Sequence, residues 1–197
     1  MPGYRRSDLP FSAPCRHARH DCTIVPALAG GLLAESTEQV GITSDMMRAA
    51  MGCFVTGVVV ITAFSAESPV GMAVNSFVSV SLDPPLVLFC ASKTSTTWPH
   101  IRRAGHFCAN VLTARQEHLA RRFAGRGDRY TGVTYAHGAT GAPILEGVHA
   151  YADCEIVDEH DAGDHTLVIG RVVELHSDPG AAPLLFYRSR YRPLAGP

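Results

Sequence analysis

Apolar, largely β-branched residues run almost unbroken from Val55 to Phe64, a pattern that predicts a strand buried on both faces. Ala66 to Pro69 reads as a turn and Val70 to Val74 as a second strand. Phe77 to Leu82 then sets Phe77, Val80 and Leu82 against Ser79 and Ser81, until Asp83-Pro84-Pro85 breaks the pattern. Leu86 to Ala91 and Phe107 to Leu112 are further apolar strands. Val148 to Val157 and Thr166 to His176 alternate like the arms of one hairpin, joined by an acidic Asp158 to Asp164 connection. Leu184 to Tyr187 is a last short strand before a basic tail.

Helical patterns are fewer. Ser44 is placed to cap a helix through Met51, with Met47, Ala50, Met51 and Phe54 as its apolar stripe. A second helix is entered near Ser95, passes Trp98 and Ile101 and ends at Gly105. A third spans Ala114 to Ala124, with Leu119, Ala120 and Phe123 on one side and arginines on the other, and Gly125 to Gly132 follows as a loop. Strands outnumber helices and no strand–helix–strand rhythm is sustained. The predicted fold class is mainly β, a closed or split β-barrel with two or three flanking helices.

Length and charge narrow the picture. The 197 residues suit one domain, placed at 43–197, behind an N-terminal extension, 1–42, expected to be weakly ordered. A formal net charge of -1 offers no basic face for nucleic acid. No run of about eighteen apolar residues exists to span a membrane. Of six cysteines, Cys53, Cys90, Cys108 and Cys154 fall in apolar segments and read as thiols of a reducing, cytoplasmic compartment. Ile24 to Ala34, behind Arg5-Arg6, superficially resembles a secretory signal, but its long, acid-bearing lead favours an extension. Cys15, His17, His20 and Cys22 carry zinc-type donors at a spacing that matches no common finger, so no metal is expected.

Three stretches carry chemistry. Ala73, Val74, Asn75 and Ser76 combine small side chains with donors and acceptors, as a flat ring with a polar edge requires; a plain bent strand would use the same residues. Ser92, Lys93, Ser95 and Thr96 set hydroxyls and a cation before a helix, suited to a phosphate or simply to capping. His165, after Gly163-Asp164, opens an apolar strand, where it reads as a reacting-face imidazole or a surface residue.

Taken together, Gly57-Val58-Val59-Val60-Ile61-Thr62, Gly71 to Phe77, Ser79 to Leu86, Gly163-Asp164-His165 and Ile169-Gly170-Arg171-Val172 resemble the flavin reductase family, the small reductase components of two-component flavin monooxygenases. The likeness runs from about Met46 to about Leu194. It implies a Greek-key, FMN-binding split barrel and a homodimer with flavin near the interface. It also implies hydride transfer from NADH or NADPH to FMN or FAD, supplying diffusible reduced flavin to a partner monooxygenase. By the same resemblance Ala73 to Ser76 line the ring, Ser92, Lys93, Ser95 and Thr96 hold phosphate, and His165 orients the nicotinamide. Ala73 stands where the family commonly has threonine, which leaves FMN against FAD open. Tyr187, Arg188 and Tyr191 resemble the family's C-terminal tail. No Gly-x-Gly-x-x-Gly fingerprint is present, so the nicotinamide nucleotide is expected to fold against the flavin. Two rival readings are a flavoprotein that retains FMN to reduce an organic or corrinoid substrate, and a non-enzymatic flavin-binding module.

Overall fold

The computed structural model describes residues 41–66 and 68–194. The extension, its signal-like stretch and the Cys15, His17, His20 and Cys22 group lie outside the described residues. Helix α1 covers Ser44–Met51, followed by strands β1 (Thr56–Gly57), β2 (Val59–Ser65), β3 (Ser68–Val74), β4 (Val78–Leu82) and β5 (Pro85–Ser92). Helix α2 (Trp98–Ala104), strand β6 (His106–Val111) and helix α3 (Glu117–Ala124) come next. Strands β7 (Tyr135–His137), β8 (Pro143–Leu145), β9 (Ala150–Ala162), β10 (His165–Ser177), β11 (Leu184–Tyr187) and β12 (Arg190–Pro193) complete the order. The fold is mainly β.

Seven strands form one antiparallel sheet in the order β3-β2-β6-β9-β10-β5-β4, beside a three-stranded sheet β1-β11-β12 and the pair β7-β8. The large sheet's edges, β3 and β4, are consecutive in the chain and separated only by Asn75, Ser76 and Phe77. So short a link holds the two edges within about 14 Å of each other.

β2 is buried on both faces, as its apolar run predicts, but the single strand expected from Val55 divides: Val55 is exposed, and Thr56–Gly57 pairs with β11 in the smaller sheet. Val59, Ile61 and Ala63 join a core with Phe89, Phe107, Trp98 and Ile101, while Val58 and Val60 join a second with Leu119, Phe123, Leu145 and Leu184. Helix α2 closes the first core and α3 the second. Phe123 packs so closely on β3 that a Cβ at Gly71 would meet its ring at 2.8 Å. A buried amide ties the layers: Asn110 Nδ2 donates to Val60 O at 3.2 Å and Thr62 Oγ1 at 3.0 Å, and its Oδ1 accepts the Leu145 amide at 2.8 Å.

Several boundaries differ from expectation. The helix cap is Thr43, whose extended backbone lets Oγ1 accept from Met46 N, so Ser44 falls inside α1. Among the described residues the stripe Met47, Met51 and Phe54 is not buried: these residues are 55%, 52% and 66% exposed. α2 begins at Trp98, with Pro99 in the first turn where a missing N–H costs nothing. The third helix starts as a 3-10 turn over Ala114–Gln116, where Thr113 and Gln116 form a capping box. The acidic connection proves to be strand, because β9 continues to Ala162 and turns into β10 through Gly163 and Asp164 alone. Gly163 takes φ 63°, the left-handed geometry such a two-residue turn asks of its first residue.

Candidate functional site

An open groove of about 370 Å³ lies at the gap between the sheet edges. Ala73, Val74, Asn75, Ser76, Ser92, Ser95, Thr96 and His165 all line it. Segments far apart in sequence meet there because β10 pairs with β5, setting His165 opposite Ser92, while the bend after β3 returns beside β5.

Each side chain has a local reason for its place. The Ser76 hydroxyl accepts the Cys90 amide at 2.9 Å and donates to Cys90 O at 3.4 Å, which fastens the bend to β5. Ser92 Oγ and Thr94 Oγ1 lie 2.9 Å apart and shape the loop after β5. Ser95 Oγ accepts from Thr97 N at 3.2 Å and Trp98 N at 3.1 Å, so this hydroxyl caps the chain entering α2. Thr96 enters none of these bonds. The small side chains at Ala73, Ser76 and Gly125 leave the groove open for a flat ligand.

His165 Nδ1 lies 2.8 Å from Asp164 Oδ1, an arrangement that turns Nε2 to the other side of the ring. Asp164's carboxyl is held below its ordinary 3.8, first by the hydrogen bond from His165 and then by the imidazole's charge. Lys93 is not among the lining residues. Its backbone amide donates to Asp164 O at 3.0 Å and its ammonium sits 2.5 Å from Asp161 Oδ1, across the hairpin tip.

Sequence reasoning missed the cations that do line the groove, Arg126 and Arg129. They sit in the turn after α3, read only as a loop. Arg129 is held by Gly125 O at 2.6 Å, Gly71 O at 2.6 Å and Thr97 Oγ1 at 2.5 Å. The crowding of Arg126-Gly127-Asp128-Arg129 between glycines was the available signal, for a compact charged turn is seldom plain connection. Phe123 adds an aromatic wall. Cys108 and Cys154 supply no nucleophile, since burial pushes both thiols up, Cys154 to about 12. No cluster of metal-ligating side chains is present among the described residues.

The groove thus offers a slot without bulky side chains, a polar bend, hydroxyls with two arginines, and an imidazole at one end. Such a donor set fits a flat, phosphate-bearing heterocycle.

The model of the flavin reductase like domain matches residues 51–195. A flavin reductase of Pseudomonas putida is 45% identical over 152 residues, 76% of this chain and 89% of that protein. Nitrilotriacetate monooxygenase component B of Mycobacterium thermoresistibile superposes with TM-score 0.74 at 42% identity, over 77% of this chain and 86% of that one. NADH:FAD oxidoreductase SgcE6 of Streptomyces globisporus, solved with NAD and FAD fragments, superposes with TM-score 0.73 at 37% identity, over 77% of this chain and 92% of its own.

Proposed function

This chain belongs to the flavin reductase like domain family, and from that premise we propose that it oxidises NADH or NADPH to reduce FMN or FAD, handing diffusible reduced flavin to a partner monooxygenase. One observation carries the reading: seven of the eight flavin-contact residues expected from two separate sequence segments, together with His165 from a third, line a single groove. Relatives named as a flavin reductase, a monooxygenase component and an NADH:FAD oxidoreductase support it.

The nicotinamide supplies a hydride and the flavin ring accepts it, chemistry that resides in the cofactors. The protein positions and polarises. Ala73 to Ser76 would face the ring and offer donors to its pyrimidine edge, where negative charge grows as the hydride arrives. Ser92, Ser95 and Thr96 would shape the phosphate seat and Arg126 and Arg129 would charge it. His165, steadied by Asp164, would orient the nicotinamide rather than pass a proton.

The finer architecture follows the same reading. We infer a split barrel, because the three-residue link between β3 and β4 forces the large sheet to curl. We infer a homodimer, because the outer face of β4, β5 and β10 presents Val78, Leu86, Leu88 and Ile169 with no covering element among the described residues. Val78 and Leu82 are 52% and 90% exposed. Residues 43–197 form the catalytic domain and 1–42 an extension, a division that the match to residues 51–195 supports. Four free thiols among the described residues favour a cytoplasmic location. No helix among those residues is long and apolar enough to cross a membrane.

The test is steady-state oxidation of NADH and NADPH with FMN, FAD and riboflavin varied in turn. The reading requires saturable dependence on free flavin. Absence of flavin-stimulated oxidation overturns it.

A further inference from the structure

Beside the pair β7-β8 lies a cavity of about 510 Å³ that shares no residue with the flavin groove. Three aromatic rings line it, Tyr135, Tyr151 and His176, with the aliphatic side chains of Ile144 and Val148 between them in its lining. Tyr151 on β9 and His176 on β10 are cross-strand partners, and their rings lie 5.8 Å apart at 32°. Tyr135 on β7 meets the rings of Tyr130 and His137 edge-on at 5.6 and 5.5 Å, so its own ring is fixed by its neighbours.

Tyr151 Oη donates to Glu174 Oε1 at 2.6 Å, and Glu174 Oε2 accepts the Ala139 amide at 2.9 Å. The shared hydrogen bond holds the Glu174 carboxyl below its ordinary 4.5 and pushes the Tyr151 phenol up to about 12, so the proton stays on the tyrosine and the charge on the carboxylate. A phenol polarised in this way is electron-rich, and an electron-rich ring face attracts a cation.

The charges around the cavity are of one sign. Glu146 and Asp178 line it, and no lysine or arginine does. Neither carboxylate enters an ion pair among the described residues, although Arg115 lines an adjoining cavity that shares Gly147 and Asp178. This is the reverse of the flavin groove with its two arginines, so the phosphates of FMN and NADH are disfavoured here. A metal ion finds no ligand cluster among the described residues. A primary ammonium is strongly hydrated and gains little from Ile144 and Val148. An alkylated ammonium spreads its charge over an apolar surface and suits rings and aliphatic side chains together.

We propose that this cavity binds a small organic cation, an alkylated or quaternary ammonium compound, against Tyr135, Tyr151 and His176. Such a ligand is neither reactant of flavin reduction, and the site stands whether or not the chain reduces flavin.

Choline tests it, beside the uncharged isostere in which carbon replaces the ammonium nitrogen, each titrated into the isotopically labelled full chain and followed by nuclear magnetic resonance. Choline should shift the amides of Tyr135, Gly147, Val148 and Asp178 with a millimolar dissociation constant, and the isostere should bind about tenfold more weakly. Tyr151→Leu should weaken choline binding by about fivefold. Because that change also removes the Glu174 contact, Glu146→Gln at an exposed position is the second variant; it should weaken choline about threefold and leave the isostere unaffected. Equal binding of choline and its isostere, an unchanged dissociation constant in both variants, or shifts centred on Ala73 to Ser76 overturn the proposal. So does the absence of any shift at millimolar choline.

Discussion

Ser76 and Cys90 hold each other twice across the gap beside β3, the serine hydroxyl receiving the Cys90 amide at 2.9 Å and donating to its carbonyl at 3.4 Å. Ser76→Ala strands a half-buried amide and frees the bend, at a cost of about 1 kcal/mol. A lower melting temperature and a several-fold weaker flavin dissociation constant should appear together. A variant that melts lower yet binds flavin as before would show that the groove does not depend on this clasp.

His165 stands opposite Ser92 on paired strands, so the imidazole flanks the groove without forming its floor. His165→Ala should slow reduction by NADH about tenfold to a hundredfold, an orienting contribution, while flavin binding measured by fluorescence stays within twofold. Asp164→Asn should give a milder loss. Because the Asp164 carboxyl lies below its ordinary 3.8, it is ionised and accepts from the His165 ring above that range, and this acceptor is lost only as pH falls through the lowered value. The Asp164→Asn penalty should therefore be flat as Asp164 titration goes between about pH 6 and 8. A penalty that vanished at pH 6 would exclude this role.

Charge in the groove comes from the turn after α3. Arg126→Ala should raise the dissociation constant for FMN roughly tenfold and flatten its dependence on salt. Lys93→Ala should change it less than about threefold, since the Lys93 ammonium is already paired with Asp161 at the exposed hairpin tip. Isothermal titration at two ionic strengths separates the two. The reverse order would return the phosphate seat to Lys93.

Thiol chemistry maps the groove without any turnover assay. Cys53 is exposed and Cys90 lines the groove, whereas Cys108 and Cys154 are buried and their thiols pushed far up by desolvation. Alkylation at neutral pH, located by peptide mass spectrometry, should mark Cys53 and Cys90 and spare the other two until the protein unfolds. Added FMN should slow modification of Cys90 and leave Cys53 unaffected. Equal protection of both would mean that flavin acts at a distance rather than by occupying the groove.

Elements with a strong period or a strong stop were legible: β2 from its unbroken apolar run, α2 from Gly105 at φ 74°, β11 to the residue. Segments whose pairing partner lies elsewhere were not. Residues 158–162 are acidic and read as loop, but the ladder to β10 holds them extended, because cross-strand hydrogen bonds outweigh a weak intrinsic preference. The short β7, β8 and β12 exist only through their partners. The stripe on α1 was legible as apolar, yet what covers it is not written in its spacing.

By itself the chain order determined which residue types are available for the site, since a bend of small residues, a hydroxyl-rich loop and a turn histidine are local patterns set by neighbouring positions. Tertiary structure decided which cations face the groove. Lys93 and Arg129 both lie close in sequence to groove residues, but backbone register points one to Asp161 and folds the other beneath Gly71 and Thr97. The reason is physical: a side chain's direction follows from the strand and turn that carry it, and those directions are set by pairings dozens of residues away.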